Sequence, residues 1–274
     1  MFGNLTTLSG FNPNVPYQIS NLAHIYDVIY NTNPLGLIGS NAWRWLDSNK
    51  NLVGGLSSNS GLGATYSTYN NRKIVSTTSD NYFLYNAGLY GSHVPFGCPS
   101  NTAISKFTFF IVAKSNVIIN TNLQYLFVNA FFNGASWSNN FVLQRTANND
   151  FITLYLNDQL GNTLTINSNI STQTWNVYVV TFDNTTGIAN LYVNGTLFSG
   201  QNNLLTSYVF NQVFVNSSNT GYNAYLSSAT GTGNGYLGYL GDMIVYSRIL
   251  TNSEINSIGQ YENQKFNITS WINI

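Results

Sequence analysis

Apolar residues occupy every second position at the start of the segment from Trp175 to Phe182. This period of two predicts a β-strand with one face in a core. A second β-rich run follows and ends at Asn194-Gly195, a pair that favours a type I′ hairpin because both residues readily take positive φ. The sequence from Trp175 to about Phe198 therefore predicts three antiparallel strands joined by short turns.

A helix is predicted near the end of the chain. Thr251 and Glu254 have the spacing of a capping box, in which each side chain bonds the backbone N–H of the other residue. Ile255, Ile258 and Tyr261 then fall on roughly one helical face. We predict no other helix in the chain.

Further short runs of β-branched and aromatic residues lie between clusters of Asn, Gly and Ser, a pattern typical of strands. They are Phe107–Ala113, Leu123–Ala130, Phe141–Arg145, Phe151–Leu156, Thr163–Asn167, Tyr208–Val215 and Met243–Tyr246. A length of 274 residues suits a single large β domain. We therefore predict an all-β fold of two packed, mainly antiparallel sheets.

The order of these elements carries a family resemblance. The segments Trp175–Asp183, Ile188–Gly195 and Gly238–Ile255 resemble the C-terminal half of the laminin-G-like jelly roll of the concanavalin A-like lectin and glucanase superfamily. Trp43–Asp47 resembles the opening Trp-x-Asp segment of that family. The resemblance covers about residues 30 to 266 and implies a jelly-roll sandwich of two antiparallel sheets with one short C-terminal helix. These motifs build the fold, so they imply architecture more than activity.

The domain organisation follows from where the strand pattern is weak. Residues 1–30 contain Pro13 and Pro16 and lack a strong strand pattern. We interpret this segment as an N-terminal arm that docks on a neighbouring subunit or as a first strand of the same sandwich. Residues 31–274 are assigned to the jelly-roll domain.

Charge is scarce along the whole chain. Asp, Glu, Lys and Arg make up 7% of the residues, against about 25% in typical proteins, and nine cationic side chains balance nine anionic ones. Binding to duplex nucleic acid needs clustered Lys and Arg, which the sequence lacks. The sequence contains no run of eighteen or more apolar residues, so no membrane-spanning helix is predicted.

The expected compartment rests on three further features. Cys98 is the single cysteine, which excludes an intramolecular disulfide, and the first residues lack the basic and apolar regions of a signal peptide. Domains resembling this family also occur in viral and phage structural proteins. We therefore expect a protein that is assembled in the host cytoplasm and displayed on the surface of a virion.

Catalysis is not predicted. Glycosidases of the resembled superfamily use a Glu-x-Asp-x-x-Glu strand, whereas the only glutamates here, Glu254 and Glu262, lie in the predicted helix. His24 lies in an apolar, tyrosine-rich run, and His93 and Cys98 lie near each other without a third partner. A glycoside hydrolase is thus the third alternative for function.

Sugar binding needs aromatic rings beside amide or carboxylate groups. Two segments that we interpret as loops, residues 133–140 and 219–228, have this composition. The predicted ligand-binding residues are Trp137, Asn139, Asn140, Tyr222 and Tyr225. The alternative is that Trp137 caps the edge of the sandwich and that the tyrosines pack on a neighbouring subunit. We predict no required cofactor; the resemblance makes Ca²⁺ possible, but it transfers no metal ligand.

The combined prediction is a non-catalytic, lectin-like surface component of a virus or phage particle that binds glycans. The alternative from another class is a purely structural capsid decoration or assembly protein that contacts only other virion proteins. Either reading predicts a homo-oligomer or a part of a larger assembly.

Overall fold

The computed structural model describes residues 12, 14–26, 35–38, 41–46, 55–58, 64–69, 72–77, 83–85, 105–118, 121–132, 137–158, 161–202, 222–226, 235–268 and 271–274. For most strand residues before 105, and for residues 129–132, 137–140 and 222–226, it describes the backbone.

The described chain is almost entirely β-structure. Two helices flank the strands, α1 (Val15–Gln18) and α2 (Asn252–Phe266). The strands are β1 (Leu22–Tyr26), β2 (Leu35–Ile38), β3 (Asn41–Leu46), β4 (Gly55–Ser58), β5 (Ala64–Tyr69), β6 (Arg72–Thr77), β7 (Phe83–Tyr85), β8 (Lys106–Ser115), β9 (Gln124–Phe132), β10 (Trp137–Arg145), β11 (Ile152–Asn157), β12 (Thr163–Asn167), β13 (Asn176–Asp183), β14 (Ile188–Val193), β15 (Thr196–Gln201), β16 (Tyr222–Leu226) and β17 (Gly238–Tyr246).

The strands form two antiparallel sheets that pack face to face. The first sheet has the order β15-β14-β13-β8-β17, and β1 and β6 both pair along the free edge of β17. The second has the order β12-β11-β10-β9-β16-β7. Strands β2 to β5 continue the hydrogen-bonded ladder between β6 and β7. The predicted two-sheet jelly-roll sandwich is confirmed.

Phenylalanine rings fill the space between the two sheets. Phe109 of β8 lies 4.7 Å from Phe127 of β9, measured between ring centroids, and Phe107 of β8 lies 5.6 Å from Phe141 of β10. All four rings are fully buried. Aromatic ring pairs contribute stabilisation beyond that of the apolar area they bury, so this cluster helps to hold the two sheets in one relative position.

Strand β13 differs from its predicted half-buried pattern. Seven of its eight residues are buried, since the layer contacts β9 and β10 on one side and α2 on the other. Trp175, which immediately precedes the strand, is 5% exposed and lies 5.4 Å from the ring of Phe266 in α2. The prediction that Trp175 belongs to the core is confirmed. The prediction that β13 buries only one face is wrong, because α2 covers its second face.

The local signals near the C-terminus are confirmed. The backbone N–H of Thr251 donates to Glu254 Oε2 at 2.9 Å and that of Glu254 donates to Thr251 Oγ1 at 3.3 Å, which completes the capping box. Asn194 and Gly195 take φ values of 51° and 87°, as a type I′ turn requires. The predicted short C-terminal helix is confirmed as α2, and the four-residue helix α1 was not predicted.

Helix α2 lies over a buried ion pair. The Lys265 ammonium donates to the Asp242 carboxylate of β17, and both side chains are at most 1% exposed. Nζ of Lys265 also lies 3.2 Å from the hydroxyl of Tyr261 and 5.7 Å from the ring centroid of Phe266. Charges this deep need a partner, so the pair ties the helix to one position on the sheet.

The N-terminal segment joins the first sheet. Strand β1 pairs with β17, and the hydroxyl of Tyr246 donates to the carbonyl of Pro16 at 2.8 Å. The boundary at residue 30 stays a prediction.

Thr163–Asn167 matches its predicted bounds, whereas Tyr208–Val215 lies outside the described residues. Within the part of the chain that the structure describes, no helix is long and apolar enough to cross a membrane.

Candidate functional site

The described residues of the two segments predicted as sugar-binding loops lie in strands of one sheet. Trp137, Asn139 and Asn140 lie in β10, and Tyr222 and Tyr225 lie in β16. The loop prediction was wrong for these five residues, because β10 and β16 pair with β9 although the segments have the polar composition of loops. Both strands pair with β9, one on each side of it.

The strand register brings the two segments to the same level of the sheet. Asn139 of β10 and Asn223 of β16 both lie opposite Ala130 of β9. Adjacent strands are about 4.8 Å apart, so these two backbone positions are separated by about 10 Å. Tyr225 lies opposite Val128 and Trp137 opposite Phe132, one pair on each side of that level.

A small apolar cluster marks the outer face of this sheet, the face that points away from the inter-sheet core. Val128 and Val142 lie opposite each other and are buried, and the half-buried rings of Tyr125 and Tyr155 pack against them. Burial raises the pKa of the Tyr125 hydroxyl, which therefore stays protonated and able to donate a hydrogen bond. Tyr225 of β16 lies opposite Val128 on the other side of β9.

Polar side chains lie on the same outer face, beside this cluster. Gln144 pairs in register with Tyr125 and with Thr153, and Thr153 pairs with Asn167. The Thr153 hydroxyl donates to Asn167 Oδ1 at 2.8 Å. In β12 the residues exposed on this face alternate with buried core residues. The outer face of β9–β12 thus combines tyrosine rings with amides and hydroxyls.

Neither glutamate lies on this face. The Arg248 guanidinium donates to Glu254 Oε1 at 2.6 Å and to Oε2 at 2.9 Å, and with the capping bonds it lowers the pKa of Glu254 to about 2. Glu254 is therefore a fixed carboxylate at the start of α2 and cannot supply a proton near neutral pH. Glu262 is fully buried in the same helix.

The remaining reactive residues lie in the other sheet or are not among the residues that the structure describes. His24 lies in β1 of the first sheet, and His93 and Cys98 are outside the described residues. Among the residues that are described, no group of three or more His, Cys, Asp or Glu side chains is arranged to hold a metal. A calcium site stays a prediction.

A polar network at one end of the sandwich was not predicted. The buried Arg145 guanidinium donates to Asn149 O at 2.8 Å and to Ser115 Oγ at 3.1 Å, and its Nη2 lies 3.3 Å from Asp150 Oδ1. Asp150 in turn accepts hydrogen bonds from the side chains of Ser171, Thr172 and Gln173. The network connects three loops of the sandwich.

The pKa of Asp150 reports the balance within this network. Partial burial raises the pKa of its carboxyl, but the hydrogen bonds from Ser171, Thr172 and Gln173 and the charge of Arg145 outweigh burial and lower it overall. Asp150 is thus ionised at neutral pH and acts as an acceptor for the loop from 171 to 173.

Comparisons with known proteins agree with this geometry. Residues 90–256 match a laminin-G family model described as the concanavalin A-like lectin/glucanases superfamily, which is more than half of the chain. The chain belongs to this superfamily. A comparison with curated protein sequences found no match.

Several solved structures share this concanavalin A-like fold. Domain 4 of an extracellular arabinanase from Geobacillus stearothermophilus, in complex with arabinotriose, is 18% identical with a TM-score of 0.56 and covers 88% of this chain and 98% of that one. The binding domain of Paraclostridial Mosquitocidal Protein 1 is 13% identical with a TM-score of 0.57, covering 87% and 52%. A Trypanosoma rangeli sialidase is 10% identical with a TM-score of 0.56, covering 89% and 33%. The chain thus spans about half or less of the latter two structures.

Membership in the concanavalin A-like superfamily accounts for the sandwich but does not locate a ligand site. The sequence singled out the residues of β10 and β16 and missed Tyr125 and Tyr155. Their signal was present as tyrosines alternating with core residues in β9 and β11, but no pattern within one strand shows which strands are neighbours.

Proposed function

We propose that this chain is a non-catalytic carbohydrate-binding domain whose ligand surface is the outer face of strands β16, β9, β10 and β11. One observation carries the proposal. The two aromatic and amide-rich segments, distant in sequence, flank β9 with Asn139 and Asn223 both opposite Ala130.

The chemistry of the described face supports this assignment. Sugar rings pack their C–H faces on aromatic rings and exchange hydrogen bonds with amides and hydroxyls. Tyr125 and Tyr155 supply half-buried rings over a rigid valine pair. The exposed Thr165 and Asn167 of the adjacent β12 supply polar groups, and Thr165 lies opposite Tyr155. A surface supported by packed side chains loses little entropy when a ligand binds.

Two of the structural neighbours add support. The arabinanase domain was solved with arabinotriose, and the chain spans nearly all of it. The mosquitocidal protein structure is a binding domain. These likenesses show the fold, and the ligand class is our extension to this chain.

Absence of hydrolysis is part of the proposal. Glycosidic cleavage needs an acid and a base or nucleophile on either side of one bond. Glu254 and Glu262 lie in α2, which packs on the first sheet, whereas the proposed ligand surface belongs to the second.

The test is a glycan array with purified protein, with and without a chelator, followed by calorimetry on the glycan that binds. Replacing Trp137 and Tyr225 by Ala should weaken binding, because each stacked ring contributes about 0.5–1.5 kcal/mol. Tyr222 lies opposite Phe131, a register position of the other face, so Tyr222→Ala should have the smaller effect. The matched control is Tyr17→Ala, an exposed tyrosine of α1 outside this sheet, which should leave the affinity unchanged. Chelator sensitivity would add calcium to the site.

A chain that binds no glycan on the array would contradict the proposal and favour the structural assembly alternative. Turnover of a polysaccharide that one carboxylate substitution abolishes would instead promote the hydrolase alternative.

For the biological setting we extend the proposal to display on a virus or phage particle as a homo-oligomer or as part of a larger assembly. The low charge content and the single cysteine support it. Mass spectrometry of purified particles, with antibody labelling of intact ones, should detect the protein on their surface. Detection only in the soluble fraction of infected cells would contradict this setting.

A further inference from the structure

A second surface of the molecule has the size and composition of a ligand site. A cleft of about 540 Å³ opens at one end of the first sheet, beside the C-terminal end of α2. Its described lining includes Lys114, Gln173, Thr174, Thr196 and Asn267, and none of the lining residues that the structure describes comes from β9–β12 or β16. Small-molecule sites occupy about 300–1,000 Å³, so the volume fits one or two sugar rings.

Hydrogen-bonding groups converge on this cleft. Within the described chain, the side chains of Thr174, Thr196 and Asn267 form no hydrogen bond to the protein. Gln173 donates its Nε2 to Asp150 Oδ2 at 2.9 Å, which orients the side-chain amide of this lining residue. The cleft thus offers hydroxyl and amide groups to a ligand.

The walls of the cleft are held in place. The backbone N–H of Ile272 donates to Asn194 O at 2.8 Å, and a Cβ added at Gly195 would lie 1.7 Å from Ile272 O. This close approach fits only glycine and fixes the C-terminal segment against the β14–β15 turn. On the other side, Arg145 and Asp150 hold the loop that carries Gln173. A pre-organised cleft binds with a lower entropy cost.

The charges around the cleft favour a neutral ligand. Among the described residues that line it, Lys114 is the one with a charge. The C-terminal end of α2, whose dipole is negative, adjoins the same cleft at Asn267, and the Asp150 carboxylate lies behind Gln173. These negative groups offset the ammonium, while Ile170 and Ile272 supply apolar walls for sugar C–H faces.

We propose that this cleft is a second carbohydrate site, which takes the neutral end of a glycan of one or two sugar rings. The site stands independently of the outer face of β9–β11, because the two surfaces share no residue.

Ligand-observed NMR tests the proposal with arabinotriose, galactose and glucose as neutral probes and galacturonate as the charged one. At least one neutral probe should bind, and its affinity should fall about tenfold or more in Thr174→Ala/Thr196→Ala, because two hydrogen bonds of about 1 kcal/mol each are lost. The matched control is Thr68→Ala, an exposed strand threonine outside the cleft. The Lys114→Gln variant should retain binding, since it keeps a donor and loses only the charge.

The two carbohydrate sites are distinguished by the Trp137→Ala/Tyr225→Ala variant, in which the cleft should still bind its probe. A second measurement, on the wild-type protein, tests where the probe binds: a probe in the cleft should shift the side-chain amide resonance of Gln173. The second site would be overturned if no neutral probe binds, or if the affinity of the bound probe is the same in Thr174→Ala/Thr196→Ala as in the wild type. Preferential binding of galacturonate that is lost in Lys114→Gln would overturn the neutral ligand class.

Discussion

The two outer faces of the sandwich have different surroundings although both belong to antiparallel sheets. On the first sheet, α2 covers the outer face, and β13 is buried at seven of eight positions. On the second sheet, β12 alternates buried and exposed residues, and the tyrosines beside the Val128–Val142 pair are only half buried.

This difference separates stability from recognition. The helix-covered face hides the Lys265–Asp242 pair and the Trp175–Phe266 contact, where each side chain has a fixed partner. The other face keeps half-buried tyrosine rings and the exposed polar residues of β12 over a buried valine pair. We therefore expect substitutions under α2 to change the free energy of unfolding and those on the second sheet to change ligand affinity.

The largest expected effect is at the buried ion pair. Lys265→Met leaves the Asp242 carboxylate in a dry interior without its ammonium, which should cost about 3–5 kcal/mol of unfolding free energy. The control is the double variant Lys265→Met/Asp242→Leu, which should recover most of the loss. Urea denaturation measures both. A single variant as stable as the wild type would show that the pair does not anchor α2.

The next effect compares two tryptophans, one for each face. Trp175→Ala should cost about 3–5 kcal/mol because it leaves a cavity between β13 and Phe266. Trp137→Ala should stay within about 1 kcal/mol. Thermal and chemical denaturation of both variants test this contrast, and equal losses would remove the distinction between a structural and a recognition face.

A smaller effect is expected at the loop network. Asp150→Asn should cost about 1–3 kcal/mol at neutral pH through weaker bonds to Arg145 and to the loop at 171–173. The folded pKa of Asp150 is lowered, so its contribution is present above the unfolded pKa of about 4 and lost as pH falls through the folded value. Denaturation curves of the two proteins should converge in acid. A difference that is constant with pH would contradict the ionised network.

The smallest effect is expected at the helix cap. Glu254→Gln should cost about 1 kcal/mol, because it weakens the capping box and the bond to Arg248. The folded pKa of about 2 lies below the ordinary value of 4.5, so this stabilisation is complete above about pH 4.5 and disappears toward pH 2. Glycan affinity should not change, since α2 lies on the other sheet. A loss of affinity would place a carboxylate in the ligand site.

Local signals in the sequence predicted local structure well. The turn at Asn194-Gly195 and the capping box at Thr251 depend on neighbouring residues, and both have the expected geometry. The strand of Thr163–Asn167 was bounded correctly because one of its faces is solvent-exposed and its alternation is clear.

The features that depend on distant contacts were less predictable. Nothing near β13 in the sequence shows that α2 covers its second face, and Arg145 meets Asp150 and Ser115 only through the packing of three loops. The candidate ligand residues were identified by type, but their neighbours on β9 and β11 depend on strand order. Sequence composition therefore indicated the chemistry of the face, and the topology supplied its assembly.

The most direct test of the carbohydrate-binding face is an NMR titration of the isotope-labelled wild-type protein with the glycan selected on the array. We expect the backbone amide resonances of Val128, Val142 and Tyr155 to shift on titration, while those of Ile255 and Ile258 in α2 do not. Shifts confined to α2 and the first sheet, with none in β9–β11, would contradict it.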